Sequence, residues 1–139
     1  EFDAGHRIPN HESKCRNLHG HRYVLECTVT GEIVDTSGHS SEGMIVDFSA
    51  LKHIMNDCVV EPWDHALLLY ALDPLVTNQR LFTALPANHR TVLLPCIPTA
   101  EGLATYAFAA LATPLLENGL KLTHLRLYET PNCWADIST

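Results

Sequence analysis

Residues 18–33, LHGHRYVLECTVTGEI, decide the fold. Their alternation puts His19, His21, Tyr23, Leu25, Cys27 and Val29 on one face and Arg22, Glu26, Thr28 and Thr30 on the other, the period of a long strand with one side buried. Upstream, FDAGHRI at 2–8 alternates in the same way and sets Phe2, Ala4 and His6 on one side of a second strand. Downstream, DTSGHSSEG at 35–43 is a turn-rich connection, and MIVDF at 44–48 reads as a short strand that hands over to a helix.

From Ser49 onward Leu51, Ile54, Met55, Cys58 and Val59 recur at helical spacing, with Asp47 or Ser49 as N-cap and Pro62 ending the helix. Asp73 to Pro86 reads as a further helix and TVLLP at 91–95 as a short apolar segment. A stronger helix follows, capped by Thr99, striped by Leu103, Ala104, Ala107, Phe108, Leu111, Ala112 and Leu115, and stopped by Gly119. KLTHLRLYET at 121–130 alternates again, with Leu125, Leu127 and Glu129 on one face, and CWADI at 133–137 is a closing strand. Strands, helices, then strands predict an α+β domain over residues 1–139, with an antiparallel sheet and helices on one face.

Composition narrows the function classes. The 139 residues, 46% hydrophobic, suffice for one core, and the formal charge of −7 argues against a general nucleic-acid or anionic-membrane surface. Yet Arg7, Lys14, Arg16 and Arg22, four of the nine basic residues, cluster in the first 22 positions, which leaves room for a local anion site. Five cysteines without a CxxC pair suggest neither a disulfide framework nor a zinc ribbon, and a reducing, cytoplasmic compartment is expected. No apolar run approaches the roughly 20 residues of a membrane span, and the first residues carry no basic-then-apolar signal pattern.

The chemistry concentrates on histidines. His19 and His21, two apart on a strand, project from one face, and His6 on the neighbouring strand brings a third imidazole to the same ion. A lone strand histidine more often packs than binds metal; an HxH beside another histidine shifts the balance toward zinc. Three imidazoles leave a fourth tetrahedral position open, the mark of a catalytic site. Cys15, in C-x-x-x-H-x-H, competes for that position, but Lys14 and Arg16 beside it favour a thiolate that serves as base or nucleophile. Asp64 and His65 can act as an acid and base pair only if the backbone turns between them, since neighbours on a strand point apart. Glu129, at the end of an apolar strand face, suits the paired N–H donors of a flat heterocycle, unless it is an exposed strand-end carboxylate. Thr99 and Glu101 open a helix whose free N–H groups suit an anion or carbonyl, or simply a cap.

Taken in order, F-D-A-G-H-R, K-C-R-N-L-H-G-H, G-M-I-V-D-F-S-A-L-K, D-H, P-T-A-E and Y-E-T-P resemble the 6-pyruvoyl-tetrahydropterin synthase family nearly end to end, most of all its bacterial 6-carboxytetrahydropterin synthase branch. The resemblance implies a tunnelling fold of ββααββ subunits, assembled as a homohexamer from two trimers with sites between subunits. It implies Zn2+ on His6, His19 and His21, a catalytic Cys15 with Asp64 and His65, and a substrate site at Glu129, Thr99 and Glu101. The implied reaction is that of a lyase in the queuosine pathway, turning 7,8-dihydroneopterin triphosphate into 6-carboxy-5,6,7,8-tetrahydropterin, acetaldehyde and triphosphate. A 6-pyruvoyl-tetrahydropterin synthase, a related side-chain lyase and a non-catalytic zinc or pterin binder are the alternatives. The basic N-terminal cluster is then a candidate for holding the triphosphate. Three features depart from the family pattern: ALLLY after His65, Gly102 after Glu101, and a longer stretch from Tyr70 to Cys96.

Overall fold

The computed structural model describes residues 1–79 and 81–139 in full and residue 80 through its backbone. Alternation builds the centre of the sheet as expected. Strand β1 (Phe2–His6) pairs antiparallel with β2 (His19–Thr30), placing Phe2 opposite Tyr23, Ala4 opposite His21 and His6 opposite His19. Helix α1 (Phe48–Met55) starts where Asp47 accepts hydrogen bonds from the Ser49 N–H at 2.7 Å and the Ser49 hydroxyl at 2.6 Å. MIVDF is therefore not a strand. Its first residue closes a loop instead, the Met44 carbonyl accepting from the Val34 N–H at 2.9 Å, and its last already belongs to the helix.

The helical run does not stop before Pro62. It widens into a π turn at Asn56–Val60 and ends in the short α2 (Glu61–Trp63). In a regular α-helix the Pro62 ring would meet the carbonyl four residues back, and the widened turn comes just before it. The chain then enters β3 (Ala66–Tyr70), the ALLLY segment. This strand lies parallel to β1 and also parallel to β4 (Thr91–Leu94), which is the TVLLP segment. Both segments are continuous apolar runs without alternation, so periodicity alone does not mark either as a strand. Between them the expected single helix is two, α3 (Pro74–Thr77) and α4 (Arg80–Ala84), divided where Gln79 takes a left-handed φ of 55°.

Helix α5 (Ala100–Glu117) is capped by Thr99, whose hydroxyl accepts from the Gly102 N–H at 3.1 Å. Gly119, at φ 74°, ends it: the Leu120 N–H returns to the Leu115 carbonyl and the Gly119 N–H to that of Leu116. The last strands, β5 (Lys121–Thr130) and β6 (Cys133–Ser138), complete a six-stranded sheet of order β4-β3-β1-β2-β5-β6. The fold is α+β, and its sheet is mixed, antiparallel from β1 to β6 and parallel on the β3–β4 side. One core lies between sheet and helices, where Leu103, Ala104, Ala107 and Leu111 of α5 join Phe2, Tyr23, Leu25, Leu125 and Leu127 of the strands. Among the described residues no helix is long and apolar enough to cross a membrane.

Candidate metal centre and active site

The β1–β2 register brings His6, His19 and His21 together on the helix-facing side of the sheet. One nitrogen from each lies within 4.8 Å of the others. His6 is 1% exposed, and its Nδ1 stands 2.7 Å from the Pro98 carbonyl oxygen; His19 Nδ1 stands 2.8 Å from that of Asn17. A carbonyl can only accept, so both rings carry their proton on Nδ1 and, when neutral, turn a bare Nε2 lone pair inward. Those two Nε2 atoms face each other at 3.2 Å, while His21 Nε2 is buried without a hydrogen-bond partner. Facing lone pairs repel unless a cation lies between them, and nitrogens on a tetrahedral zinc at about 2.0–2.1 Å stand about 3.3 Å apart. The three residues fit a metal ion.

Electrostatics favour the same state. Burial pushes the His6 and His21 imidazoles below their ordinary value and holds them in the neutral, ligating form. Glu129 Oε1 opposes this weakly from 3.4 Å to His6 Nε2 and 3.8 Å to His21 Nε2. Tyr23 lies beneath the cluster, its ring 6.1 Å from His6 and 5.8 Å from His21. Its hydroxyl is buried and unpartnered, and burial raises its pKa, so it remains a neutral donor. The alternation had placed Tyr23 on the histidine face. The Pro98 and Asn17 carbonyls, being main-chain atoms, carried no signal in residue type.

Glu129, Thr99 and Glu101 share one groove of about 500 Å³ with Ile8, His11 and Trp134. Thr99 spends its hydroxyl on the cap of α5, whereas Glu101 is exposed. Cys15 is a free, half-buried thiol in the 3-10 turn Lys14–Arg16, and its carbonyl accepts from the Ile8 N–H at 2.8 Å. It is not one of the three residues whose ligand atoms converge.

Asp64 and His65 do come together, at 2.8 Å between Oδ2 and Nδ1, because His65 takes a left-handed φ of 56°. The Asp3 N–H donates to Asp64 Oδ1 at 2.9 Å, and the Asp3 carbonyl receives the His65 N–H. The bond from the Asp3 N–H, and after it the one to the His65 ring, hold the Asp64 carboxyl below its usual range. Within one chain, however, the pair does not meet the histidines. No hydrogen bond or ion pair joins it to them; with Asp3, Gly5, Gly20, Arg22 and Leu67, and with His21 at its border, His65 lines a trough on the side of Asp3 and Arg22.

Gly102 has a reason here. A Cβ at this position would collide with the Ile97 carbonyl, so the turn that carries Pro98 packs on α5 only because residue 102 has no side chain.

Fold and site together define a class: an α+β protein with a cluster of three histidines that could hold a metal ion beside a carboxylate-walled groove. The model of the 6-pyruvoyl tetrahydropterin synthase family matches residues 1–139, and the chain belongs to that family of enzymes. It is 37% identical to a 6-carboxy-5,6,7,8-tetrahydropterin synthase of Rickettsia bellii, over 99% of this chain and 94% of that one. Its fold matches an uncharacterized protein of Wolinella succinogenes with a TM-score of 0.76 at 21% identity, covering 99% of this chain and 93% of that one. It also matches the Caenorhabditis elegans 6-pyruvoyl tetrahydropterin synthase, with a TM-score of 0.65 at 25% identity over 99% and 89%.

Two outcomes follow from the geometry. Gly102→Ala should displace the Pro98 carbonyl from His6 and weaken metal affinity about tenfold or more, by analogy with other lost second partners of ligating histidines; competition with a chelating dye measures it, and unchanged affinity would refute the coupling. In the metal-free protein His6 and His21 take up protons less readily than they do unfolded, near 6.5. Their contribution to stability is therefore present above about pH 6.5 and lost as pH falls through the lowered values. Denaturation midpoints of the metal-free protein should drop between about pH 7 and 5, and less steeply in His6→Asn; equal slopes would contradict the assignment to His6.

Proposed function

We propose that this chain is a zinc-dependent lyase that converts 7,8-dihydroneopterin triphosphate and water to 6-carboxy-5,6,7,8-tetrahydropterin, acetaldehyde and triphosphate. The observation that carries this reading is the convergence of His6, His19 and His21, the first two through unprotonated Nε2 atoms, beside Glu129 in an open groove. The names of the curated relatives point to the same reaction. Zinc held by the three imidazoles would supply Lewis-acid polarisation to hydroxyl groups of the substrate side chain.

The remaining roles fall to the chain's own side chains. Glu129 accepts paired N–H donors from the pterin edge, with Thr99 and Glu101 at the same groove. Cys15 moves a proton at the substrate side chain. Asp64 orients His65 through Nδ1 and leaves Nε2 free to take or give a proton. Since that pair does not meet the histidines within one chain, its part in the reaction requires a second copy of the chain, which favours a homo-oligomer built like a hexamer of two trimers. The redox change is internal to the substrate and calls for no nicotinamide.

Incubating the zinc-loaded protein with 7,8-dihydroneopterin triphosphate tests the reading. The expected result is acetaldehyde and 6-carboxytetrahydropterin in equal amounts, with Cys15→Ala keeping its zinc and losing at least about a hundredfold in rate. A pyruvoyl product without acetaldehyde would select the 6-pyruvoyl-tetrahydropterin synthase reading, which the matched family model favours. No turnover by the wild type would select a non-catalytic binder.

A further inference from the structure

We propose that Tyr23 is a positioning residue whose hydroxyl donates to the Glu129 carboxylate and holds it toward the groove and off the metal, an inference that rests on the zinc and pterin roles proposed above. Tyr23 has no solvent exposure, and its hydroxyl has no hydrogen-bond partner among the described residues. A buried hydroxyl is costly to leave unpaired, so an orphan of this kind calls for an acceptor. The ring cannot travel to find one. It stacks on Phe2 with centroids 5.2 Å apart, and Trp63 closes edge-on against Phe2 at 5.8 Å. The acceptor has to come to the hydroxyl.

Register and chemistry name that acceptor. Strands β2 and β5 pair Leu25 with Leu127 and Val24 with Tyr128, and one further step sets Tyr23 opposite Glu129 on the core side of the sheet. Glu129 is also the extra residue of a bulge: β6 sets Trp134 against Tyr128 and Cys133 against Thr130, which leaves Glu129 without an opposite residue there. Such a bulge re-aims a side chain. The other polar rings packed against Tyr23 are His6 and His21, whose inward nitrogens the metal claims. Glu129 has the remaining lone pairs. Burial first, and then the negative charge of Glu129, oppose ionisation of the phenol, so it stays a donor.

A donor is needed because two positions compete for the carboxylate. Glu129 Oε1 stands 3.4 Å from His6 Nε2 and 3.8 Å from His21 Nε2, close enough for a cation among the imidazoles to draw it into the fourth coordination position. A carboxylate there closes the site and no longer receives the paired N–H donors of a heterocycle in the groove that Glu129 lines. The hydrogen bond from Tyr23, charge-assisted and made in a buried setting, opposes that capture. Tyr23 thus acts through Glu129 and touches neither metal nor heterocycle itself.

The test titrates bare pterin, the heterocycle without a side chain, into the zinc-loaded protein and follows its fluorescence. Tyr23→Phe should bind pterin about tenfold more weakly, the effect of one hydrogen bond to a charged group. It should raise KM for dihydroneopterin triphosphate by a similar factor with kcat within about threefold. Zinc affinity, measured against a chelating dye, should not fall, and neither should the denaturation midpoint of the metal-free protein, where the hydroxyl has no partner to lose. In the zinc-loaded protein Tyr23→Phe should lower the midpoint while Glu129 is present, but not on top of Glu129→Ala. Unchanged pterin affinity, a matching fall in zinc affinity or metal-free stability, or additive midpoints would overturn the proposal. Coupled midpoints in a wild type that binds no pterin and leaves dihydroneopterin triphosphate intact would support the bond from Tyr23 to Glu129 and overturn the pterin reading instead.

Discussion

The pairing of His6 with His19 across β1 and β2 is the constraint on which the site depends. Side chains alternate with a period of two, so a slip of one residue in this register would send one set of imidazoles to the far face of the sheet. Several contacts hold the register. Phe2 stacks on Tyr23 with ring centroids 5.2 Å apart, and on the far face Gly5 lies opposite Gly20. Gly20 is needed, because a Cβ there would approach the Ala4 carbonyl oxygen to 2.9 Å, whereas one on Gly5 would meet the movable end of the Leu67 side chain at 2.8 Å. Packing of the core thus fixes the metal centre, and the centre inherits the rigidity of the sheet.

Burial then sets the chemistry. The imidazoles sit where the charged form is disfavoured, and two main-chain carbonyls choose the tautomer. Those carbonyls come from the two segments that flank the groove, residues 7–17 and the turn before α5. Whatever moves either segment also turns a ligand. The same segments carry Arg7, His11, Arg16 and Thr99, so the recesses they line and the histidine cluster share one scaffold.

Legibility in the sequence followed physical lines. The alternation of 18–33 located β2 and put His19, His21 and Tyr23 on one face; the Thr99 cap and Gly119 stop located α5. What escaped lacked a local signature. ALLLY and TVLLP form parallel strands whose apolar runs show no alternation, and they make the expected antiparallel sheet a mixed one. MIVDF resembles a strand in composition, but Asp47 is better used as a helix cap. In sequence the turn between Asp64 and His65 is only a condition, because a left-handed φ is uncommon even for histidine. The position of that pair, apart from the histidines, depends on which strand β3 joins, a long-range choice. Arg7 and Arg22 looked equivalent in sequence, and only their partners, Asp73 and Asp3, separate them.

The central claim is an open metal centre made of three imidazoles with no sulfur. X-ray absorption at the zinc edge of the zinc-loaded protein tests it most directly. The account predicts three nitrogen scatterers and one oxygen scatterer, all at about 2.0–2.1 Å. A sulfur shell at about 2.3 Å would place Cys15 on the metal, close the site, and contradict it.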